Sequence, residues 1–301
     1  MCNVKIICEP FLEDCRVKIL ENEYGVKIYR TSLKPPLTNE ALAERINSAK
    51  AIIINVNTPI NKNLLKKCNN LKRIISFSSG INHIDIEACQ KNDIEIVYCK
   101  SYCATSIAEK IMGYILMAKN RFIPAVLSVK NGEWNQNFQG SELFDKTICV
   151  FGVGEIGEKV VSLCKAFGMH VICINSKSSA NDIEYGLGKA DIINLNMPLN
   201  NKTKHFLNED RLKLVKNNVL IVNTSRGGII NEKALFDFLI VNRKATAVLD
   251  VLEKEPLTDN PLSDLENVII TPHIAWNSDE SCRKLKNFIF NEAIRACEDF
   301  S

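Results

Sequence analysis

Apolar residues fall in short runs separated by longer amphipathic stretches, and the two alternate along nearly the whole chain. In the first hundred residues the runs Val4–Cys8, Ala51–Ile54, Arg73–Phe77 and Ile94–Tyr98 are too short for helices and rich in Ile and Val. Each predicts a buried strand. Helical patterns lie between them, one opened by Thr38 with Glu40 nearby and one near Asp85–Lys91. Ala104–Asn120 is apolar nearly all round, which predicts a helix buried between layers or domains. Further strands are expected at Thr147–Phe151, Met169–Ile174, Asp191–Asn194, Val219–Asn223, Ala247–Asp250 and Val268–Thr271. Helices are expected near Asn208–Val215 and Asn231–Val241, each with an Asn placed as N-cap, and Ser278–Phe300 reads as one amphipathic helix. This alternation predicts an α/β chain with parallel sheets covered by helices, and 301 residues suffice for two such domains.

One junction departs from ordinary punctuation. The strand Thr147–Phe151 leads into Gly152-Val153-Gly154-Glu155-Ile156-Gly157, a helical pattern follows to Phe167, and Gly168 can cap it. Strand, GxGxxG, helix, strand is the context of a dinucleotide-binding loop. Gly152 serves the tight turn, Gly154 close approach to a pyrophosphate, and Gly157 close helix–strand packing. The helix start at Glu155 and Ile156 offers N–H groups and a positive dipole end to the phosphates. About 150 residues precede this loop and must form a separate domain.

Composition narrows the classes. A net charge of +3 is too near neutral for nucleic acid as the main partner, and the cluster Lys62, Lys66, Lys67, Lys72, Arg73 reads as a solvated helix face and its exit. No apolar run is long enough to span a membrane; the longest, Ala104–Ala118, is interrupted by Glu109, Lys110 and Gly113. The twelve cysteines include no CxxC pair, and Cys8, Cys149 and Cys173 sit inside apolar strands as small core residues. No metal site is expected. The opening MCNVKIICEP reads as a strand and not a signal peptide, so a reduced, cytoplasmic setting is expected.

Three expected strand ends carry the chemistry. They read Val222-Asn223-Thr224-Ser225-Arg226-Gly227-Gly228, Val248-Leu249-Asp250-Val251-Leu252-Glu253-Lys254-Glu255-Pro256, and Ile270-Thr271-Pro272-His273-Ile274-Ala275-Trp276. In an open parallel sheet, ligands bind beyond the carboxyl ends of the strands. Reduction of a 2-keto acid needs a cation to hold the carboxylate and polarise the ketone, which suits the planar fork of Arg226. It needs a proton donor near neutrality, which suits His273, and a carboxylate beside that histidine to keep it protonated and oriented, which suits Glu255.

These segments resemble the D-isomer-specific 2-hydroxyacid dehydrogenase family, glyoxylate/hydroxypyruvate reductases included. The resemblance rests on GVGEIG, the MPL within Asn196–Asn200, VNTSRGGIINEKAL, VLDVLEKEP and NPLSDLENVIITPHIAW, with SSGINHID (Ser78–Asp85) and SYCATSIAE (Ser101–Glu109) in the first half. It implies a Rossmann cofactor domain over 100–274 and a discontinuous, flavodoxin-like substrate domain over 1–99 and 275–301. It implies Arg226, Glu255 and His273 as catalytic triad. Asp250 is implied near the nicotinamide carboxamide, with Pro198, Thr203 and Thr224 also on the cofactor. Thr105 or Ser106 is implied to approach the cofactor from the helix that crosses between domains. Ser79 and Gly80 are implied to hold the substrate carboxylate and Tyr102 to line its pocket; the large ring of Trp276 is expected to wall it. Homodimers through the cofactor domain are implied as well.

Departures from the family pattern refine the expectation. The strand ending at Ile174 is followed by Asn175-Ser176-Lys177-Ser178, with no acid to accept from a ribose 2′-OH. Asn175, Ser176 and Lys177 would admit a 2′-phosphate, so NADP is favoured and NAD remains open. INVNTPIN after the strand Ala51–Ile54 lacks a basic residue for a substrate phosphate. Glu255 rather than Gln argues against a formate-dehydrogenase-like site with no proton to donate. His83 reads as structural, and His170 and His205 as surface residues. The expected activity is hydride transfer between NADP(H) or NAD(H) and a small 2-keto or 2-hydroxy acid, glyoxylate or hydroxypyruvate favoured. Two other readings share the triad: a dinucleotide-sensing corepressor-like binding protein, and a phosphite dehydrogenase.

Overall fold

A computed structural model describes residues 3–8, 11–30 and 37–301. Met1, Cys2, Glu9 and Pro10 of the opening MCNVKIICEP lie outside the described residues, as do residues 31–36. The fold is a two-domain α/β fold of the Rossmann type. The two compact units are Met1–Tyr102 with Ser278–Ser301, and Cys103–Asn277. The divisions fall a few residues beyond 99/100 and 274/275. Tyr102 packs on the first unit's core, whereas the Ala275 backbone is tied to Asp250 and Ser106 of the second.

The first unit holds a five-stranded parallel sheet in the order β2-β1-β3-β4-β5. Its strands are β1 (Val4–Ile6), β2 (Lys27–Ile28), β3 (Ala51–Ile54), β4 (Arg73–Ser76) and β5 (Glu95–Tyr98), with α1 (Asp14–Asn22), α2 (Asn39–Ile46), α3 (Lys62–Leu65) and α4 (Ile86–Lys91) between them. Strand β3 explains the unbroken apolar run, because Ile52 and Ile54 enter one core while Ala51 and Ile53 enter the other. The C-terminal helix Asp279–Phe300 covers the second face with Leu285, Ile289, Ala293 and Ala296. Thr38, Asp85 and Ser278 each accept a backbone N–H as N-caps.

The second unit opens with α5 (Ala104–Lys119) and α6 (Phe122–Lys130). Then come β6 (Thr147–Phe151), α7 (Glu155–Ala166), β7 (His170–Ile174), α8 (Ala180–Lys189), β8 (Ile192–Leu195), α9 (Glu209–Leu212), β9 (Leu220–Asn223), α10 (Glu232–Val241), β10 (Thr246–Leu249) and β11 (Val268–Ile270). All six strands are parallel, in the order β11-β10-β9-β8-β6-β7. The chain steps outward from β6 to β7 and then returns to β8 on the other side of β6. This reversal makes the carboxyl end of β6 the switch point where ligands bind in such sheets.

Three side chains depart from expectation. Arg73, expected on a solvated helix face or its exit, is buried on β4 and paired with Glu95 at 2.6 Å and Asp299 at 2.7 Å. Cys173 is exposed, because β7 is an edge strand, while Cys149 on β6 is buried and its thiol is pushed up to about 12 by burial. His205 is half-buried and lies 3.3 Å from Glu253. His83 shares a hydrogen bond with the Ser76 hydroxyl at 3.1 Å. Among the described residues no helix is long and apolar enough to cross a membrane.

Candidate active site

The glycine loop lies at the switch point. Gly152 has φ +94°, and a β-carbon there would stand 2.7 Å from the Asn196 carbonyl oxygen at the end of β8. A β-carbon on Gly157 would stand 2.1 Å from the Gly152 oxygen, so α7 packs against the turn only because both residues lack side chains. Around Gly154 the space is open. Gly154 is the N-cap of α7, and Glu158 N–H donates to its carbonyl at 2.8 Å. The N–H groups of Glu155, Ile156 and Gly157 are those a helix leaves without intrahelical acceptors. The Thr224 hydroxyl, at the carboxyl end of β9, is buried with no hydrogen-bond partner among the described residues. An open glycine cradle, a positive helix end and an orphaned hydroxyl are what a bound dinucleotide would satisfy, so these residues fit one.

The turn after β7 closes on itself. Lys177 N–H donates to Asn175 Oδ1 at 2.9 Å, and Asn175 N–H donates to Ser178 Oγ at 3.1 Å. Asn175, Ser176 and Lys177 are exposed, and the turn holds no carboxylate. After β8, the Thr203 hydroxyl donates to Pro198 O at 2.5 Å and accepts from Asn200 N–H at 2.9 Å, which shapes the loop.

Arg226, Glu255 and His273 come together at the carboxyl ends of β9, β10 and β11. Asn223 shapes the first turn: its Oδ1 accepts from Ser225 N–H and Oγ–H, and its Nδ2 donates to Arg226 O at 3.0 Å. Gly227 then lets this turn lie directly on the backbone of Leu252 and Glu253. Glu255 uses both oxygens, one accepting from Leu252 N–H at 3.0 Å and the other meeting His273 Nδ1 at 2.8 Å. Burial pushes the Glu255 carboxyl up, but the hydrogen bond and charge of His273, the Leu252 N–H and nearby Arg226 outweigh it and hold the group below its usual value. An ionised carboxylate only accepts, so His273 Nδ1 carries the hydrogen and Nε2 is left to face a reactant. Burial lowers the Arg226 pKa, opposed by Glu255, and the guanidinium stays charged.

His273 has φ +54°, a left-handed conformation unusual for a side chain with a β-carbon. Its N–H donates to Asp250 O at 2.9 Å, and its carbonyl accepts from the Trp276 indole N–H at 3.0 Å. Ser106 is buried on α5, its hydroxyl donating to Ala275 O at 2.9 Å, while Thr105 is exposed. In the first unit, Ser79 is exposed and Gly80 half-buried after β4, and the Gly80 carbonyl accepts from Ser78 Oγ at 2.7 Å. The sequence pattern did not mark the positions that shape these turns: Asn223, Gly227, and Thr271 and Tyr114, whose hydroxyls both reach Asp250. A phenol on the mostly apolar buried face of Ala104–Lys119 was the available signal for Tyr114.

Residues 112–275 match the family model of the D-isomer specific 2-hydroxyacid dehydrogenase NAD-binding domain. The chain belongs to that family. Membership makes it an enzyme of the nicotinamide-dinucleotide-dependent 2-hydroxyacid oxidoreductase type. Among relatives, D-3-phosphoglycerate dehydrogenase of Methanocaldococcus jannaschii is 36% identical over 97% of this chain, which spans only 57% of that protein. Hydroxypyruvate reductase of Thermotoga maritima is 32% identical over 83% of this chain and 85% of that protein. Of solved structures, an acyclic imino acid reductase in complex with NADPH and D-Arg is 29% identical, with a TM-score of 0.86 over 99% of this chain and 97% of its own. The D-lactate dehydrogenase of Aquifex aeolicus, complexed with NAD and lactic acid, is 27% identical, with a TM-score of 0.83 over 98% and 95%.

Proposed function

We propose that this protein reduces a small 2-keto acid, glyoxylate or hydroxypyruvate, with a preference for NADPH. The observation that carries the reading is the Glu255–His273 pair at 2.8 Å, set beside Arg226 on consecutive turns of the unit that holds the glycine loop. A nicotinamide dinucleotide held at the Gly152–Gly157 loop would supply the hydride. As the new C–H bond forms at the keto carbon, the carbonyl π pair moves onto oxygen and takes the proton from His273 Nε2. Glu255 stabilises the imidazolium before that transfer and stays ionised through it. Arg226 holds the substrate carboxylate and polarises the ketone. The contacts expected for Ser79, Gly80, Tyr102 and Trp276 on the substrate belong to the same proposal. So do those of Pro198, Thr203, Thr224, Asp250, Thr105 and Ser106 on the cofactor.

The acid-free turn Asn175–Ser178 supports NADPH, and the absence of a basic side chain in INVNTPIN supports an unphosphorylated substrate. We assign the protein to the cytoplasm and to a homodimer through the second unit. Helix α6 supports the dimer: Phe122, Val126, Leu127 and Val129 are exposed, whereas Ser128 is buried. Beside α6 lies a cleft of about 1010 Å³, lined also by Phe138, Val219 and Ile269. Sedimentation that shows a monomer for the wild type would remove the dimer.

The test of function is loss of NADPH or NADH absorbance against glyoxylate, hydroxypyruvate, pyruvate, bulkier 2-keto acids and phosphohydroxypyruvate. The expected result is turnover of a small keto acid with higher kcat/KM for NADPH. Preference for the phosphorylated acid would overturn the substrate reading. Tight dinucleotide binding without turnover would favour a sensor, and phosphite-dependent reduction of NAD(P) would favour phosphite oxidation.

A further inference from the structure

Asp250 is buried, and no cation among the described residues pairs with it. Its Oδ1 accepts from the Tyr114 hydroxyl at 3.1 Å, the Thr271 hydroxyl at 2.6 Å and Ile274 N–H at 2.9 Å, and its Oδ2 accepts from Ala275 N–H at 2.8 Å. The Tyr114 oxygen also lies 3.0 Å from Thr271 Oγ1. The Thr271 hydroxyl has one hydrogen, which the 2.6 Å contact with the carboxylate takes, so the single phenol hydrogen is shared between Asp250 Oδ1 and Thr271 Oγ1. A buried carboxylate held by neutral donors alone depends on every one of them. Burial, with Asp250 beside it, pushes the Tyr114 phenol up to about 12, so it remains a donor at any working pH.

The groups that Asp250 holds flank His273 on both sides. Thr271 precedes it, Ile274 and Ala275 follow it, and its own N–H is bound to the Asp250 carbonyl. The Glu255 contact fixes the rotation of the ring, whereas the Asp250 contacts fix the left-handed backbone from which the ring projects. Tyr114 reaches this carboxylate from α5, whose buried face is otherwise mostly apolar, and phenylalanine would fill the same space. A hydroxyl at that depth is unfavourable unless it has a partner.

We propose that Tyr114 is a positioning residue for proton transfer: its hydroxyl, together with Thr271, holds the Asp250 carboxylate that fixes the turn aiming His273. This rests on the proposed role of His273 as proton donor. Without the hydroxyl, Asp250 loses one of its donors and the turn loosens, while the Gly152–Gly157 loop is untouched.

The experiment compares wild type with Tyr114→Phe in the full chain, using the keto acid turned over best. The expected kcat falls about tenfold, equivalent to ~1.4 kcal/mol. The D₂O effect on the single-turnover rate rises, and the dinucleotide Kd stays within about twofold, because the Gly152–Gly157 loop proposed to hold the pyrophosphate is untouched and Asp250 keeps its other three donors. Thr271→Val is expected to lower kcat similarly. The double variant is expected to lose less than the two single losses combined, because both act through Asp250. Wild-type kcat and isotope effect in Tyr114→Phe would overturn the proposal, as would a kcat loss matched by an equal loss of dinucleotide affinity. If Tyr114→Phe fails to fold, Thr271→Val decides alone, and wild-type kcat there overturns the proposal. A His273→Ala variant separates the two levels. If it keeps wild-type kcat, the proton-donor reading fails; if it is inactive while Tyr114→Phe is unaffected, only the role of Tyr114 fails.

Discussion

Replacing Gly227 by alanine tests whether the proposed catalytic groups depend on direct backbone contact between two turns. A methyl at 227 would stand 1.9 Å from the Leu252 carbonyl carbon, 2.1 Å from its oxygen and 2.3 Å from Glu253 N. All three are backbone atoms, so no side-chain rotation can relieve the overlap. Raising the shortest contact from 1.9 to 3.0 Å requires the two segments to part by about 1.1 Å. One segment carries Arg226. The other begins at Leu252, whose N–H is bonded to Glu255. A displacement of ~1 Å within a catalytic set costs on the order of 100-fold in rate, or ~2.7 kcal/mol of barrier. Overpacking of this kind also costs ~1–3 kcal/mol of stability. Steady-state kcat for keto-acid reduction is measured below the melting temperature, with dinucleotide binding followed by fluorescence as the control for folding. The expected outcome is a loss of about 100-fold in kcat with binding retained, since the loop at Gly152–Gly157 is built on other turns. A Gly227→Ala enzyme within about threefold of wild type in kcat would refute the reasoning, because the turns would then be tolerant of separation.

Asn175→Asp places an acid where a ribose 2′-hydroxyl could be accepted and a 2′-phosphate repelled, so the ratio of kcat/KM for NADPH over NADH should fall by at least about tenfold. An unchanged ratio would detach this turn from cofactor choice. Glu255 should also shape acid stability. Its folded pKa lies below the 4.5 of the unfolded group, so its contribution is complete above about pH 4.5 and is lost as pH falls through the folded value. The difference in melting temperature between wild type and Glu255→Gln should therefore be widest at neutral pH and narrow below about pH 4.5. A difference that stays constant from pH 7 to pH 3 would contradict it.

Much of this was legible in the residues, for definite reasons. Strands buried on both faces, such as Ala51–Ile54, leave unbroken apolar runs, and the N-caps Thr38, Asn208 and Asn231 were readable because side-chain chemistry fixes them locally. Strand β2 was not readable, since two residues carry no period. Helix α6 was hidden because its apolar residues face outward, so its pattern does not mark a core. At the site, Arg226, Glu255 and His273 were visible because each is a reactive type at a strand end. The supports were not, because Gly227 acts by lacking an atom, and Tyr114 meets Asp250 from 136 positions away in sequence. Edge position likewise governs Cys173: the strand pattern is apolar, but β7 has a neighbour on one side only.

The central claim is that His273, held by Glu255, delivers the proton. Its most direct measurement is kcat for keto-acid reduction in His273→Gln, which keeps an amide near the ring position but cannot transfer a proton. A fall of ~10²–10⁴-fold with dinucleotide affinity unchanged is expected. Wild-type kcat in His273→Gln would contradict it.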